Sequence, residues 1–352
     1  MRRPAADQDE GWGLTRRAAL LGLPAAIAGR AWAQAPAPRL SVRDLNHLTL
    51  SVADPARSLR FYQGLFGMPV QARQGLTTLL RVGRGPQFLA LSAAGATPPG
   101  ITHLCLTVDD FSVDRVLRVL AAHGVTPAEG TGGGLSGGPM RVRVRRRGPD
   151  VGGDPAGTPE IYFGDPDGIV VQLQDPRYCG GRGVAGEICA AVEPAPTVGL
   201  LAVEALNHFT VRVSDAARAN AFHQALFGFA IRSYQGPTAP TLAVGDVGFL
   251  MYSGRRGVTT AAIDHVCLNM RGFAVDRVTA ALERYGITPR GTAAPAPLQW
   301  YVSMRGPERG GAKDGTPELY FTDPDGIPIQ LQDVSYCGGS GVLGNVCPGA
   351  AG

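Results

Sequence analysis

Two histidines, a glutamine, a tyrosine and a glutamate recur at matching places in the two halves of this chain. In the first half they are His47, His103, Glu160, Tyr162 and Gln172; in the second they are His208, His265, Glu318, Tyr320 and Gln330. The offset between halves is 161 for the first histidine, 162 for the second and 158 for the glutamine. Imidazole and carboxamide are ligand types for transition metals, while phenol and carboxylate hold or pass protons. A lone strand histidine is more often a hydrogen-bonded core residue than a ligand. Duplication copies structural residues as faithfully as functional ones, so recurrence alone does not separate the two.

A repeat near 160 residues is a whole domain rather than a solenoid unit, so two tandem copies of one fold are expected. Each copy divides again into two similar halves. The first opens with a strand, Leu45 to Val52, whose alternation puts His47, Thr49 and Ser51 on one face. Asp54 and Pro55 start a helix carrying Leu59, Phe61, Tyr62, Leu65 and Phe66, and Gly67 stops it. Short strands follow near 70–73, 77–82 and 87–92. The second half repeats the order: a strand from Ile101 to Val108 with His103 and Cys105 on one face, a helix around Val113 to Leu120, then strands near 141–146, 160–163 and 169–174. Asp165, Pro166, Asp167 and Gly168 make the turn before the last strand.

The ends and the cysteines bear on location. Thr15, Arg16 and Arg17 precede an apolar run from Ala18 to Ala28, and Ala31-Trp32-Ala33 offers a cleavage site before Gln34. Residues 1–33 read as a twin-arginine export signal, and the protein as periplasmic or secreted. The run is too short for a membrane span. The net charge is +4, but 1–33 hold five Arg and three acidic residues, leaving about +2, which makes no case for nucleic acid. Cys179 and Cys189, and again Cys337 and Cys347, share one spacing, so two local disulfides are expected in an oxidising compartment. The first domain is placed at 40–190 and the second at 200–348, with 192–199 a Pro-containing linker.

The opening-strand histidine, the Phe61-to-Gly67 helix, the Ile101-to-Cys105 strand and the Tyr162-to-Gly168 turn resemble the vicinal oxygen chelate superfamily. Its members include glyoxalases, extradiol dioxygenases and bleomycin-resistance proteins. The resemblance covers roughly 45–175 and 205–333. It implies an α+β fold in which pairs of βαβββ modules wrap curved mixed sheets around a cavity holding one divalent metal. This chain would hold four modules and two cavities. By position His47, His103 and Gln172 match the family's metal ligands, as do His208, His265 and Gln330, and Tyr162 and Tyr320 match its active-site tyrosine. The chain departs from the dioxygenase pattern in having glutamine where those enzymes have glutamate, and no histidine shortly before the tyrosine. It therefore lacks a two-histidine, one-carboxylate triad.

Three neutral ligands leave a dication's charge uncancelled and favour an anionic chelating substrate such as an enolate, a 2-oxo acid or a catecholate. The implied cofactor is one divalent metal per domain: Fe, Mn, Zn, Ni or Cu. The expected function is a metal-dependent enzyme of dioxygenase, lyase or isomerase type acting on a small oxygenated molecule. The alternative is a non-catalytic binder that shelters a small molecule. Internal pairing of modules favours a monomer over an obligate oligomer. Glu160 is expected as a rim carboxylate bonded to the Arg-rich strand, with ligand or base as the alternative. Arg141, Arg143, Arg145 and Arg147 are expected as a solvated edge, and Cys105 and Cys267 as small buried side chains.

Overall fold

The computed structural model describes residues 37–190, 192–254, 260–291 and 296–348. The export signal read on 1–33 lies outside the described residues. The first copy runs β1 (Val42–Val52), α1 (Pro55–Phe66), β2 (Val70–Gln74), β3 (Thr77–Arg81), β4 (Phe88–Ala93), β5 (Gly100–Val108), α2 (Val113–Ala122), β6 (Thr126–Pro127), β7 (Arg141–Arg147), β8 (Thr158–Gly164) and β9 (Val170–Gln174). The second runs β10 (Ala205–Val213), α3 (Ala216–Phe227), β11 (Ile231–Tyr234), β12 (Pro240–Val244), β13 (Gly248–Gly254), β14 (Ala262–Met270), α4 (Val275–Arg284), β15 (Thr288–Pro289), β16 (Gln299–Arg305), β17 (Thr316–Thr322) and β18 (Pro328–Asp333).

Each copy builds its own nine-stranded mixed sheet, in the order β2-β3-β4-β1-β5-β9-β8-β7-β6 and its counterpart β11-β12-β13-β10-β14-β18-β17-β16-β15. Within a module the first strand runs parallel to the last, as β1 does to β4 and β5 to β9. The two modules of a copy meet at the centre, where β1 is antiparallel to β5 and β10 to β14. This is the expected α+β pairing of βαβββ modules. The two-residue strands β6 and β15 carry no alternation signal, because a pair of residues has no period.

Local chemistry sets the helix ends. The Asp54 carboxylate accepts from the Ala56 and Arg57 N–H groups at 2.9 and 3.1 Å, and Pro55 supplies a preset φ at the first helical position. Gly67 closes α1 at φ 66°, where a Cβ would sit 2.7 Å from the Gly199 nitrogen.

The buried face of α1 packs onto the other copy. Phe61 and Phe66 lie 6.3 and 6.1 Å from Phe321, and the Tyr62 hydroxyl donates to Asp323 at 3.0 Å. Reciprocally, Phe222 and Phe227 of α3 lie 6.4 and 6.3 Å from Phe163. His223 stands where α1 has Tyr62, 4.0 Å from Asp165. The two turns complete the exchange. Asp165 orders its own turn by accepting from the Asp167 and Ile169 N–H groups, both at 2.9 Å. Asp167 reaches across to Ser214 and Arg218 at the start of α3, at 2.6 and 2.8 Å. Asp325 does the same to Ala53 and Arg57 at the start of α1. A single apolar cluster therefore runs through both copies.

The segment read as a linker is stitched down: Glu193 and Val70 exchange backbone hydrogen bonds at 2.8 and 2.9 Å. Cys179 pairs with Cys189 and Cys337 with Cys347, the local pairing that the spacing predicts. Among the described residues no helix is long and apolar enough to cross a membrane.

Candidate functional site

Strand register gathers the site. Phe88, His47, Cys105, Gln172 and Tyr162 stand in one lateral row across β4, β1, β5, β9 and β8. The second copy repeats the row as Phe249, His208, Cys267, Gln330 and Tyr320. Laterally paired residues share a face, so these side chains project to the same side of the sheet. His103, two residues before Cys105, pairs with Thr49, and His265 pairs with Thr210.

All six histidines and glutamines of the sequence reading converge, three to a copy. His47 Nε2 lies 3.0 Å from Gln172 Oε1, and the His47 and His103 rings meet edge to face at 5.5 Å. In the second copy His208 Nε2 and His265 Nε2 lie 3.0 and 3.1 Å from one atom, Gln330 Oε1. Among the described residues no three His, Cys, Asp or Glu side chains gather, so each set is two imidazoles and an amide.

The neighbours of each ring decide where its proton sits. The Asn46 amide nitrogen donates to the Tyr178 carbonyl at 2.9 Å, which leaves Asn46 Oδ1 to accept from His47 Nδ1–H at 2.7 Å. The Thr102 hydroxyl donates to the Thr49 carbonyl at 3.2 Å, so its oxygen accepts from His103 Nδ1–H at 3.1 Å. Asn207, bonded to the Tyr336 carbonyl at 2.8 Å, fixes His208 in the same way at 2.7 Å. Asp264 accepts from His265 Nδ1–H at 2.9 Å. In the neutral rings of His47, His208 and His265 the Nε2 lone pair then faces the amide oxygen, and that of His103 accepts from the Thr49 hydroxyl at 3.3 Å. Burial holds His47 and His208 well below the usual imidazole range and His103 down to about 4. The amide nitrogens of Gln172 and Gln330 are buried without a hydrogen-bond partner among the described residues.

Tyr162 and Tyr320 stand beside this cluster, their rings 5.4 and 5.2 Å from His103 and His265. Each hydroxyl donates to a glutamate, Tyr162 to Glu160 at 3.1 Å and Tyr320 to Glu318 at 3.4 Å. Burial, then the adjacent carboxylate, pushes both phenols well above their ordinary value, so they stay protonated. Glu160 also accepts from Tyr178 at 3.0 Å and from Arg147 Nε at 2.7 Å. Glu318 has the matching partners Tyr336 and Arg305. Glu160 is thus bonded to the Arg-rich strand as expected, but it is buried and not on a rim.

The solvated-edge expectation for β7 fails for Arg147, which is buried against Glu160, and for Arg143, which donates to carbonyls of the glycine loop 130–134. Alternation shows which residues share a face but not that the face closes over a neighbouring carboxylate. Cys105 and Cys267 are fully buried. In the first copy the site lines a cavity of about 390 Å³ bounded by His47, His103, Glu160, Tyr162 and Gln172, with Arg145 on its wall. Asn46, Thr102, Tyr178 and Asp264 received no role from the sequence. The available signals are that Asn precedes His in both opening strands and that Tyr178 recurs as Tyr336 before each Cys-Gly-Gly.

Residues 44–173 match the model of the Glyoxalase/Bleomycin resistance protein/Dioxygenase superfamily. The match spans the whole first nine-stranded sheet apart from the ends of β1 and β9. Glyoxalase domain-containing protein RDO1 of Mycosarcoma maydis is 29% identical over 175 residues, covering 46% of this chain and 88% of the relative. Among solved structures, a variant of homoprotocatechuate 2,3-dioxygenase from Brevibacterium fuscum is 18% identical with a TM-score of 0.58, covering 84% of this chain and 73% of the other. The homoprotocatechuate 2,3-dioxygenase of Arthrobacter globiformis is 18% identical with a TM-score of 0.55, covering 84% and 81%. At such identities the likeness speaks for the fold.

Proposed function

We propose that each copy holds one divalent metal ion and that the protein is a metal-dependent enzyme of the superfamily matched by its first half. His47, His103 and Gln172 would hold the ion in the first copy, and His208, His265 and Gln330 in the second. One observation carries this reading. In the second copy two ring nitrogens whose protons are held on their far sides lie 3.0 and 3.1 Å from one amide oxygen. Three lone pairs brought that close repel unless a cation stands among them. Imidazole nitrogen and amide oxygen together suit Fe, Mn, Zn, Ni or Cu. Rings fixed through Nδ1–H by an amide, hydroxyl or carboxylate are the usual support of metal-bound histidine.

When bound, such an ion supplies Lewis acidity to two chelating oxygens of a small substrate. The chain's residues do the rest. Phe88 stacks on His47 at 4.2 Å and fixes the plane of that ring. Tyr162, a neutral phenol beside His103, can turn its O–H from Glu160 to a substrate oxygen. Tyr320 and Glu318 repeat the arrangement. The three protein ligands are neutral, which favours an anionic chelator in the dioxygenase, lyase or isomerase range.

Metal analysis of the purified protein tests this. About two atoms per chain are expected, lost in a His103→Ala, His265→Ala double variant that keeps its circular dichroism. A metal-free protein that still binds a small molecule, with the glutamine amides turned so that their N–H groups reach both rings, would overturn it in favour of a sheltering binder. The two disulfides support an oxidising compartment, and export through residues 1–33 completes the proposal. Mass spectrometry of the secreted protein should find an N-terminus at Gln34, and Arg16→Lys with Arg17→Lys should block its appearance.

A further inference from the structure

Four guanidinium groups of β7 alternate along the face that looks into the first cavity, and three of them are committed, Arg141 to the Thr126 hydroxyl. Arg147 is buried on Glu160 at 2.7 Å. Arg143 is spent on the carbonyls of Gly130, Gly132 and Gly134. Arg145, opposite Glu160 in register, stays exposed on the cavity wall. Among the described residues its guanidinium has no hydrogen-bond or ion-pair partner. Its charge is felt by both His103 and Tyr162. With the Arg147–Glu160 pair neutral as a unit, Arg145 gives this wall a net positive charge.

The second copy differs at this register. Ser303 faces Glu318 where Arg145 faces Glu160. Tyr301 replaces Arg143 and stacks on Tyr320 at 5.0 Å, with Arg290 held over the Tyr301 ring at 5.1 Å. The histidines, glutamine, tyrosine, glutamate and buried arginine are the same in both copies, so the contrast lies in the wall and not in the polar cluster.

We propose that Arg145 binds the carboxylate, or a like anionic group, on the tail of a chelating substrate. The first cavity would then take a chelator with a second negative charge, and the site of the second copy an uncharged-tailed counterpart. The guanidinium fork matches a carboxylate in two parallel hydrogen bonds. A volume of about 390 Å³ accommodates a molecule of one ring or a short chain. The chelating half of this inference rests on the metal reading above; the anionic half rests on Arg145 alone.

Catechol and 3,4-dihydroxybenzoate share a chelating diol and differ by one carboxylate, so titrating both into the manganese-loaded protein reads the tail. One site per chain should prefer the acid by about tenfold or more. Arg145→Ser should abolish that preference while catechol still binds, and Ser303→Arg should create it at the second site. An unchanged preference in Arg145→Ser overturns the proposal, as does equal binding of the two diols by the native protein. If no metal binds, the functional reading fails, and the inference is read in the metal-free protein. There benzoate should shift the Arg145 Nε–H resonance, and a resonance that does not move overturns it.

Discussion

At the scale of residues, the site is defined by protons held away from it. Asn46 keeps the His47 proton on Nδ1, and that asparagine is itself oriented by the Tyr178 carbonyl at 2.9 Å. Asn46→Leu removes the acceptor and frees the ring to change tautomer. Metal affinity at the first site should fall about 10- to 100-fold, measured by chelator competition, while the second site, served by Asn207, is unchanged. Equal affinity at both sites would mean that the asparagine does not govern the ring. Gln172 offers the opposite test. A carboxylate in its place brings a negative charge to a cation held otherwise by neutral groups. Gln172→Glu should therefore tighten metal binding, and a weaker site would count against Gln172 as a ligand.

At the scale of elements, the turns before the last strands carry more than a change of direction. Asp165 is buried, its second oxygen has no hydrogen-bond partner among the described residues, and burial pushes its carboxyl up to about 7. His223 opposite it is neutral, lowered to about 4 by burial, with Nδ1–H given to the Ala219 carbonyl at 2.9 Å. A raised carboxyl binds its proton more tightly in the folded state than in the unfolded one. Its contribution is therefore complete below about pH 4 and is lost as pH climbs through about 7. Asp165→Asn supplies a permanent N–H toward His223 and keeps the Oδ1 acceptor of the turn. Urea midpoints of that variant should exceed the native ones at pH 8 and show a flatter decline between pH 4 and pH 7. A decline as steep as the native one would place its origin elsewhere. The disulfide loops belong to the same scale. The Cys179–Cys189 loop is held to the sheet by Arg147, which donates to the Gly181 carbonyl at 3.0 Å. Replacing both cysteines with serine should lower unfolding free energy by about 2–3 kcal/mol, read from denaturant titration.

At the scale of the whole molecule, the copies are two in sequence and one in their packing. α1 buries Phe61, Tyr62 and Phe66 against the far copy, and each Asp-Pro-Asp-Gly turn grips the start of the other copy's first helix. Neither copy can unfold without exposing the apolar face of the other. Calorimetry of the intact protein should therefore show one cooperative transition, with calorimetric and van't Hoff enthalpies in agreement. Two resolved transitions would mean that the shared core contributes little.

The strand and helix order, the duplication and the disulfide pairing are all legible in the sequence, because each is written in local spacing. Alternation of period two puts His47 with Thr49 and His103 with Cys105 on shared strand faces, Asp54 and Gly67 mark the ends of α1, and equal Cys spacing pairs the cysteines. Register was not legible, since it depends on strands distant in sequence. Only pairing across β1, β5 and β9 sets His47, Cys105 and Gln172 in one row. Burial of Arg147 and Glu160, the freedom of Arg145 and the roles of Asn46 and Asp167 were likewise decided in three dimensions. A side chain's type fixes which protons and charges it can carry, and its neighbours, brought from elsewhere in the chain, fix which of them it keeps.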